Sequence, residues 1–102
     1  MSDHITASHI LIAHGGDSSR SPEEARTQID ALKAEIAGGA EFAAVAAQHS
    51  DCPSSARGGD LGPFGRGMMV PEFETAAFAL EPGSVSDVVE TDFGYHLILR
   101  TG

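Results

Sequence analysis

His4-Ile-Thr-Ala-Ser-His-Ile-Leu-Ile-Ala13 is the stretch from which the fold is read. It is rich in β-branched residues and predicts a strand. Alternation along a strand puts Ile5, Ala7, His9 and Leu11 on one face, and Ile10 and Ile12 on the other. Both faces are apolar, so the strand belongs in the middle of a sheet.

Outward from it, His14 to Arg20 is a polar loop. Ser21-Pro22-Glu23-Glu24 is a helix start, with Ser at the cap, Pro in the first turn and Glu three residues on. Ala25, Ile29, Leu32 and Ile36 then form one apolar stripe, and Gly38-Gly39 stops the helix. Phe42, Val45, Ala46 and His49 repeat the helical pattern over a shorter length. From Ser50 to Gly67 the chain is broken by glycine and proline, leaving room for one short strand around Leu61–Phe64. Pro71 opens a third helix running to about Leu80, with Phe73, Ala77 and Leu80 on one face and Phe78 on another. Val85–Thr91 and Tyr95–Arg100 read as strands joined at Asp92-Phe93-Gly94. This order predicts an α+β fold with helices packed around a sheet.

The 102 residues suffice for a single domain spanning 1–102. Area scaling buries roughly two-thirds of the extended surface, enough for one modest core. No apolar run approaches the ~20 residues of a membrane helix, and the first residues lack the pattern of a secretory signal. Six basic against fifteen acidic side chains give a formal charge of −9. That balance argues against nucleic acid and against an anionic membrane surface as partner. The single cysteine, Cys52, excludes an internal disulfide and a cysteine zinc cluster. A reducing, cytoplasmic setting is expected.

Two histidines stand in near-identical contexts, Ser8-His9-Ile-Leu-Ile and Tyr95-His96-Leu-Ile-Leu. A histidine heading an apolar strand is ordinarily a hydrogen-bonded core residue. Were the two strands neighbours, both imidazoles could meet in one buried layer, in their neutral forms. Cys52 lies on the glycine-rich loop, either as an inert thiol or as the nucleophile of a Cys–His enzyme. His49 and Cys52 lack the further ligands of a metal site. Gly58-Gly59-Asp60-Leu61-Gly62 lacks the Gly-Lys-Ser/Thr of a phosphate loop. Leu61, Met69 and Phe73 could converge into a small apolar cup. His4, His14 and His49 read as surface or loop residues. Glu72, Glu74, Glu81, Asp87, Glu90 and Asp92 read as a solvated acidic face.

Over nearly its whole length the chain resembles the parvulin-type peptidyl-prolyl cis/trans isomerases. The resemblance is carried by Ala7-Ser-His-Ile-Leu-Ile12, Glu41-Phe-Ala-Ala-Val-Ala46, Ser50-Asp51-Cys52, Gly59-Asp-Leu-Gly62 and Phe64-Gly-Arg-Gly67. It continues through Met69 to Phe73, Ala77-Phe-Ala-Leu80 and Thr91-Asp-Phe-Gly-Tyr-His96. It implies the parvulin (FKBP-like) fold, a four-stranded, largely antiparallel sheet with about four helices. By the resemblance His9 and His96 are the paired central histidines and Thr91 supplies a hydroxyl to one of them. Cys52 matches an active-site position that is Cys in some members and Asp in others. Leu61, Met69 and Phe73 match the proline pocket. Phe93 stands at its rim, where the phosphate-dependent branch has Ser.

Rotation about an Xaa–Pro bond breaks no bond, so no cofactor and no metal are expected. Proline-containing peptides and proteins are the implied partners of a monomeric, stand-alone domain. Since Asp replaces Cys at this position in some members, the resemblance favours a non-covalent role for Cys52. A Cys–His hydrolase and a non-catalytic proline-peptide binding module are the rival readings. Peptide cleavage would mark the first, and binding without accelerated exchange the second.

Overall fold

In the computed structural model, residues 4–14 and 20–102 are described. The elements run β1 (His4–Ala13), α1 (Pro22–Ala37), α2 (Phe42–His49), β2 (Asp60–Gly65), α3 (Pro71–Ala79), β3 (Val89–Thr91) and β4 (Gly94–Arg100). The sheet order is β2-β1-β4-β3 and every pairing is antiparallel. β1 is thus an inner strand, as its two apolar faces require.

The two faces bury different cores. Ile10, Ile12 and Leu97 pack with Ala25, Ile29 and Leu32 of α1 and with Phe42, Val45 and Ala46 of α2. Ile5, Ala7 and Ile98 pack on the other side with Phe64 of β2 and with Phe73 and Ala77 of α3. The single helix on that second side leaves part of the sheet uncovered, and the cavity described below lies there.

The start of α1 is held by a reciprocal cap. Glu24 N–H donates to Ser21 Oγ at 3.1 Å, and Ser21 N–H to Glu24 Oε1 at 3.0 Å. The Pro22 ring at the first turn costs no helical hydrogen bond, because that amide would be unpaired in any case.

Three features depart from the sequence expectation. Pro53–Arg57 forms a short 3₁₀ helix, ended by Gly58 at φ 66°. This accounts, with α1 to α3, for the helical count. The segment before β3 is not a continuous strand from Val85. Val85 makes one bridge to Leu99, and the Ser86 hydroxyl accepts Ile98 N–H at 3.0 Å where a ladder carbonyl would stand. Finally, β2 spans Asp60–Gly65 and carries a register shift opposite Ala7/Ser8. Ala7 pairs with Gly62 and Ser8 with Asp60, so Leu61 is the extra residue of a bulge. Bulges re-aim side chains, and Leu61 lines the cavity. Pro63 is tolerated because β2 is an edge strand.

Gly59 joins the 3₁₀ helix to β2 where two backbones nearly touch. Its φ is +84°, and a Cβ there would lie 2.3 Å from the carbonyl oxygen of His9. At Gly62 (φ +71°) a Cβ would meet nothing within 4 Å. Gly62→Ala should therefore cost only the left-handed backbone penalty, about 1–2 kcal/mol. Gly59→Ala must also push β1 aside, so it should cost clearly more in urea unfolding. Equal losses for the two variants would contradict the close approach.

Candidate active site

His9 sits mid-way along β1 and His96 near the start of β4. In the register, His9 faces Ile98 and Leu11 faces His96, so the histidines are diagonal neighbours on one face of the sheet. Their rings stack at 5.4 Å with an interplanar angle of 19°. Phe73 meets both edge-on, at 5.4 Å from His9 and 5.5 Å from His96. The aromatic ring from α3 thus fixes the plane in which the imidazoles lie.

The two Nδ1 atoms stand 3.2 Å apart, and Thr91 Oγ1 is 2.7 Å from His96 Nε2. Thr91 Oγ1 also accepts Phe93 N–H at 3.2 Å. Only one Nδ1 of the facing pair can carry the shared proton. If His96 donates it, His96 Nε2 accepts from the Thr91 hydroxyl and His9 carries its proton on Nε2. If His9 donates it, His96 Nε2–H donates to Thr91 and His9 Nε2 is a bare acceptor. In both arrangements His9 Nε2 is buried without a partner. The contact excludes a doubly protonated pair, since two imidazolium Nδ1–H groups would oppose each other.

Burial goes further and keeps both rings neutral. His9 and His96 are 6% and 4% exposed. Desolvation lowers each from the ordinary 6.5 to about 4, with the charge of His9 adding to the effect on His96.

These side chains form the polar part of a cavity of about 500 Å³. Cys52, Leu61, Met69, Phe73 and Phe93 line it with both histidines, and Thr91 stands behind His96. All eight residues singled out from the sequence are therefore brought to one place. Leu11, Met68 and Val70 complete the apolar wall, and Asp51 and Pro53 flank Cys52. Met68 and Phe93 are 64% and 59% exposed, and both stand at the mouth. Sequence reasoning missed Leu11, although its place on the His9 face already pointed there.

Among the described residues no hydrogen bond joins Cys52 to either imidazole: His96 is engaged on both nitrogens and His9 on Nδ1, and His9 Nε2, which has no partner, is not bonded to the thiol. That disfavours a Cys–His nucleophilic pair. No three His, Cys, Asp or Glu side chains among the described residues are arranged to hold a metal ion.

Two residues read as surface groups play further parts. Glu74 accepts Gly67 N–H at 2.5 Å and lies 3.7 Å from Arg66, tying the loop that carries Met68 and Met69 to α3. His14 is half-buried and packs at 5.1 Å from the Tyr95 ring.

The lowered histidine pKa values set a pH dependence. In the unfolded chain the imidazoles take protons as pH falls through about 6.5, while the folded ones stay neutral until about 4. The stability is complete above that window and is lost on going down through it. Each imidazole should cost about 2 kcal/mol between pH 7 and pH 5. Urea unfolding at the two pH values checks the loss, and imidazole NMR shifts check the cause. Rings of His9 and His96 that titrate near 6.5 in the folded protein would refute the argument.

The comparisons agree with this geometry. The family model described as a PPIC-type PPIase (rotamase) domain matches residues 9–102. The chain is 44% identical to the peptidyl-prolyl cis-trans isomerase Pin1 of Digitalis lanata, over 99% of this chain and 98% of that one. It is 48% identical to the protein of the same name from Malus domestica, over 96% and 93%. Among solved structures, the solution structure of TbPIN1 superposes with a TM-score of 0.93 at 37% identity, covering both chains completely. NmPin, the parvulin of Nitrosopumilus maritimus, does so with a TM-score of 0.72 at 39% identity, covering 100% of this chain and 99% of that one. A four-stranded antiparallel sheet, a cavity on its open face and a paired-histidine layer at the cavity floor accompany these likenesses, and the chain belongs to the parvulin, or PPIC-type, peptidyl-prolyl cis/trans isomerase family.

Proposed function

We infer that this chain is a peptidyl-prolyl cis/trans isomerase that turns Xaa–Pro bonds in the cavity over His9 and His96, without covalent attachment to the substrate. The observation that carries the reading is one cavity walled by Leu61, Met69 and Phe73 and floored by neutral, hydrogen-bonded imidazoles.

The barrier to rotation is amide resonance, ~18–20 kcal/mol. Resonance is lost when the bond is twisted, so the nitrogen becomes more basic and the carbonyl less polarised. An apolar cup that grips the proline ring excludes water and can favour the twisted geometry over either planar one. The rotating carbonyl then needs a polar wall that suits its changing direction. Cys52, His9, His96 and Thr91 supply such a wall. At neutral pH the imidazoles work as neutral donors and acceptors, since burial keeps their pKa values at about 4. Cys52 acts by its thiol dipole, in keeping with the lack of a base bonded to it.

We further propose that phosphate before proline does not improve a substrate. Arg20, beside the mouth, donates to Asp51 Oδ2 at 2.7 Å and to the carbonyl of Ala13 at 2.7 Å. Arg66 is near Glu74 and lies 4.3 Å over the Phe78 ring. Arg20 and Arg66 are thus already engaged by this chain, whose charge is −9, which leaves the exposed Arg57 of the glycine-rich loop as the cation that could approach a phosphate. In the phosphate-dependent branch the loop after the first strand carries a basic cluster; here that loop has only Arg20, and its residues 15–19 lie outside the described residues. A small or apolar residue before proline fits the apolar mouth better. A monomer is the matching assembly, because Met68 and Phe93, the large apolar side chains exposed among the described residues, both belong to the mouth.

NMR exchange spectroscopy on an Ala-Pro peptide tests the activity. Micromolar protein should bring the cis/trans exchange far below the uncatalysed ~10–100 s, and Phe73→Leu should lower kcat/KM about tenfold. Binding without faster exchange would leave a peptide-binding module, and cleavage would mark a hydrolase. For the phosphate question, kcat/KM on paired Ser-Pro and phosphoSer-Pro peptides at low salt should favour the unmodified one. A tenfold advantage for the phosphopeptide would overturn that part.

A further inference from the structure

β2 accompanies β1 only as far as Ser8. Beyond it, the outward backbone groups of His9, Leu11 and Ala13 need other partners. His9 N–H donates to the carbonyl of Gly59 at 2.9 Å. Leu11 N–H donates to Ser50 Oγ at 3.0 Å, and Ala13 N–H to Asp51 Oδ2 at 2.9 Å. In return Asp51 N–H donates to the carbonyl of Leu11 at 2.7 Å, and Arg20 donates to the carbonyl of Ala13. Two side-chain oxygens therefore stand where a neighbouring strand would present carbonyls. Ser50 Oγ also accepts the N–H of Cys52, at 3.4 Å.

We propose that Ser50 and Asp51 are positioning residues, side-chain acceptors that seal the bare edge of β1 and thereby set where the Cys52 thiol stands relative to His9. The segment that seals the edge runs directly into Cys52, with no intervening residue to absorb slack. His9 is the residue at which β1 passes from Gly59 to this seal. A slip of the seal along β1 would carry the thiol away from the imidazole layer. The Arg20 guanidinium completes the arrangement by sharing Asp51 Oδ2 with Ala13 N–H.

The inference rests on the isomerase reading for its consequence in rate, but not for its geometry. The test therefore has two readouts on the full chain, Ala-Pro exchange and the alkylation rate of Cys52 by iodoacetamide. Ser50→Ala, which removes no charge, and Asp51→Ala should each lower kcat about fivefold or more with KM within about twofold. In each variant alkylation should speed up about threefold or more as the thiol leaves its seat. Asp51→Asn, which keeps a carbonyl acceptor for Ala13 N–H, should restore most of the rate. Lys33→Ala, which breaks the 2.6 Å pair with Asp87 away from the cavity, should change neither readout.

Folded variants with wild-type kcat and wild-type alkylation would overturn the proposal, leaving Ser50 and Asp51 as supports of the strand edge alone. So would an Asp51→Asn variant as slow as Asp51→Ala, since the ion pair would then be the working element. If Asp51→Ala does not fold, Ser50→Ala and Asp51→Asn carry the comparison. Loss of exchange in the wild-type chain would refute the isomerase reading, whereas alkylation would still report the placement of Cys52.

Discussion

An inner strand has two edges, and every amide and carbonyl along them must be paired or lose on the order of 1–3 kcal/mol when buried. β1 meets this demand with β4 from Ala7 to Ala13 on one side and with β2 up to Ser8 on the other. Where β2 turns away at the Leu61 bulge, the remaining edge is completed by Gly59, Ser50 and Asp51. The cavity exists because of that hand-over. A longer β2 would have continued the sheet across the edge of β1 that Ser50 and Asp51 now cover, next to Cys52.

The same strand forces an unusual floor on the cavity. Its outward-alternating residues go from Ile5 and Ala7, sealed under α3, to His9, at the limit of that cover. A buried imidazole is tolerable only if neutral and bonded, and the diagonal register with His96 supplies the bond at no cost to the apolar packing. Thr91, at the end of β3, closes the chain of bonds and is itself oriented by Phe93 N–H from the tight turn. Phe73 then serves two surfaces, since it packs on Phe64 in the core and edge-on against both imidazoles. Core and site are therefore one packing problem on this face of the sheet.

Much of this was legible in the residues, though unevenly. Alternation alone separates His9 from Ile10 and Ile12, and the Ser21/Glu24 box marks the start of α1. That the two histidines meet could be stated only conditionally, because their 3.2 Å contact depends on a pairing between residues 87 positions apart. Their roles, and those of Thr91, Cys52 and the cup, came from the resemblance. The rest escaped for a common reason. Ser50, Asp51 and Ser86 act by replacing backbone acceptors, and such substitutions leave no period in the sequence. The Leu61 bulge is equally silent, because one extra residue in an edge strand changes the facing of a side chain without changing composition. Glu74 looked like one carboxylate of an acidic face, yet its partners Gly67 and Arg66 lie on another segment.

Charge bears on the site in a local rather than a global way. A chain at −9 would repel anionic peptides at long range, but at 0.15 M salt that field is screened within about 8 Å. What remains is the arrangement at the mouth. There Asp51 is taken by Arg20 and Ala13 N–H, and Arg66 is taken by Glu74 and Phe78. The acid-rich composition thus leaves a mouth whose described walls are largely apolar, with Asp51, which lines it, bonded within the chain. On the proposed function, selection of a peptide at such a mouth would rest on shape and on removal of apolar surface from water. Met68 and Phe93 extend that apolar surface beyond the cup itself. A substrate chain bearing apolar residues beside its proline would cover both, and the water so released would favour its capture in either isomer. The rate enhancement must then come from the contacts made only by the twisted bond, over the neutral imidazoles.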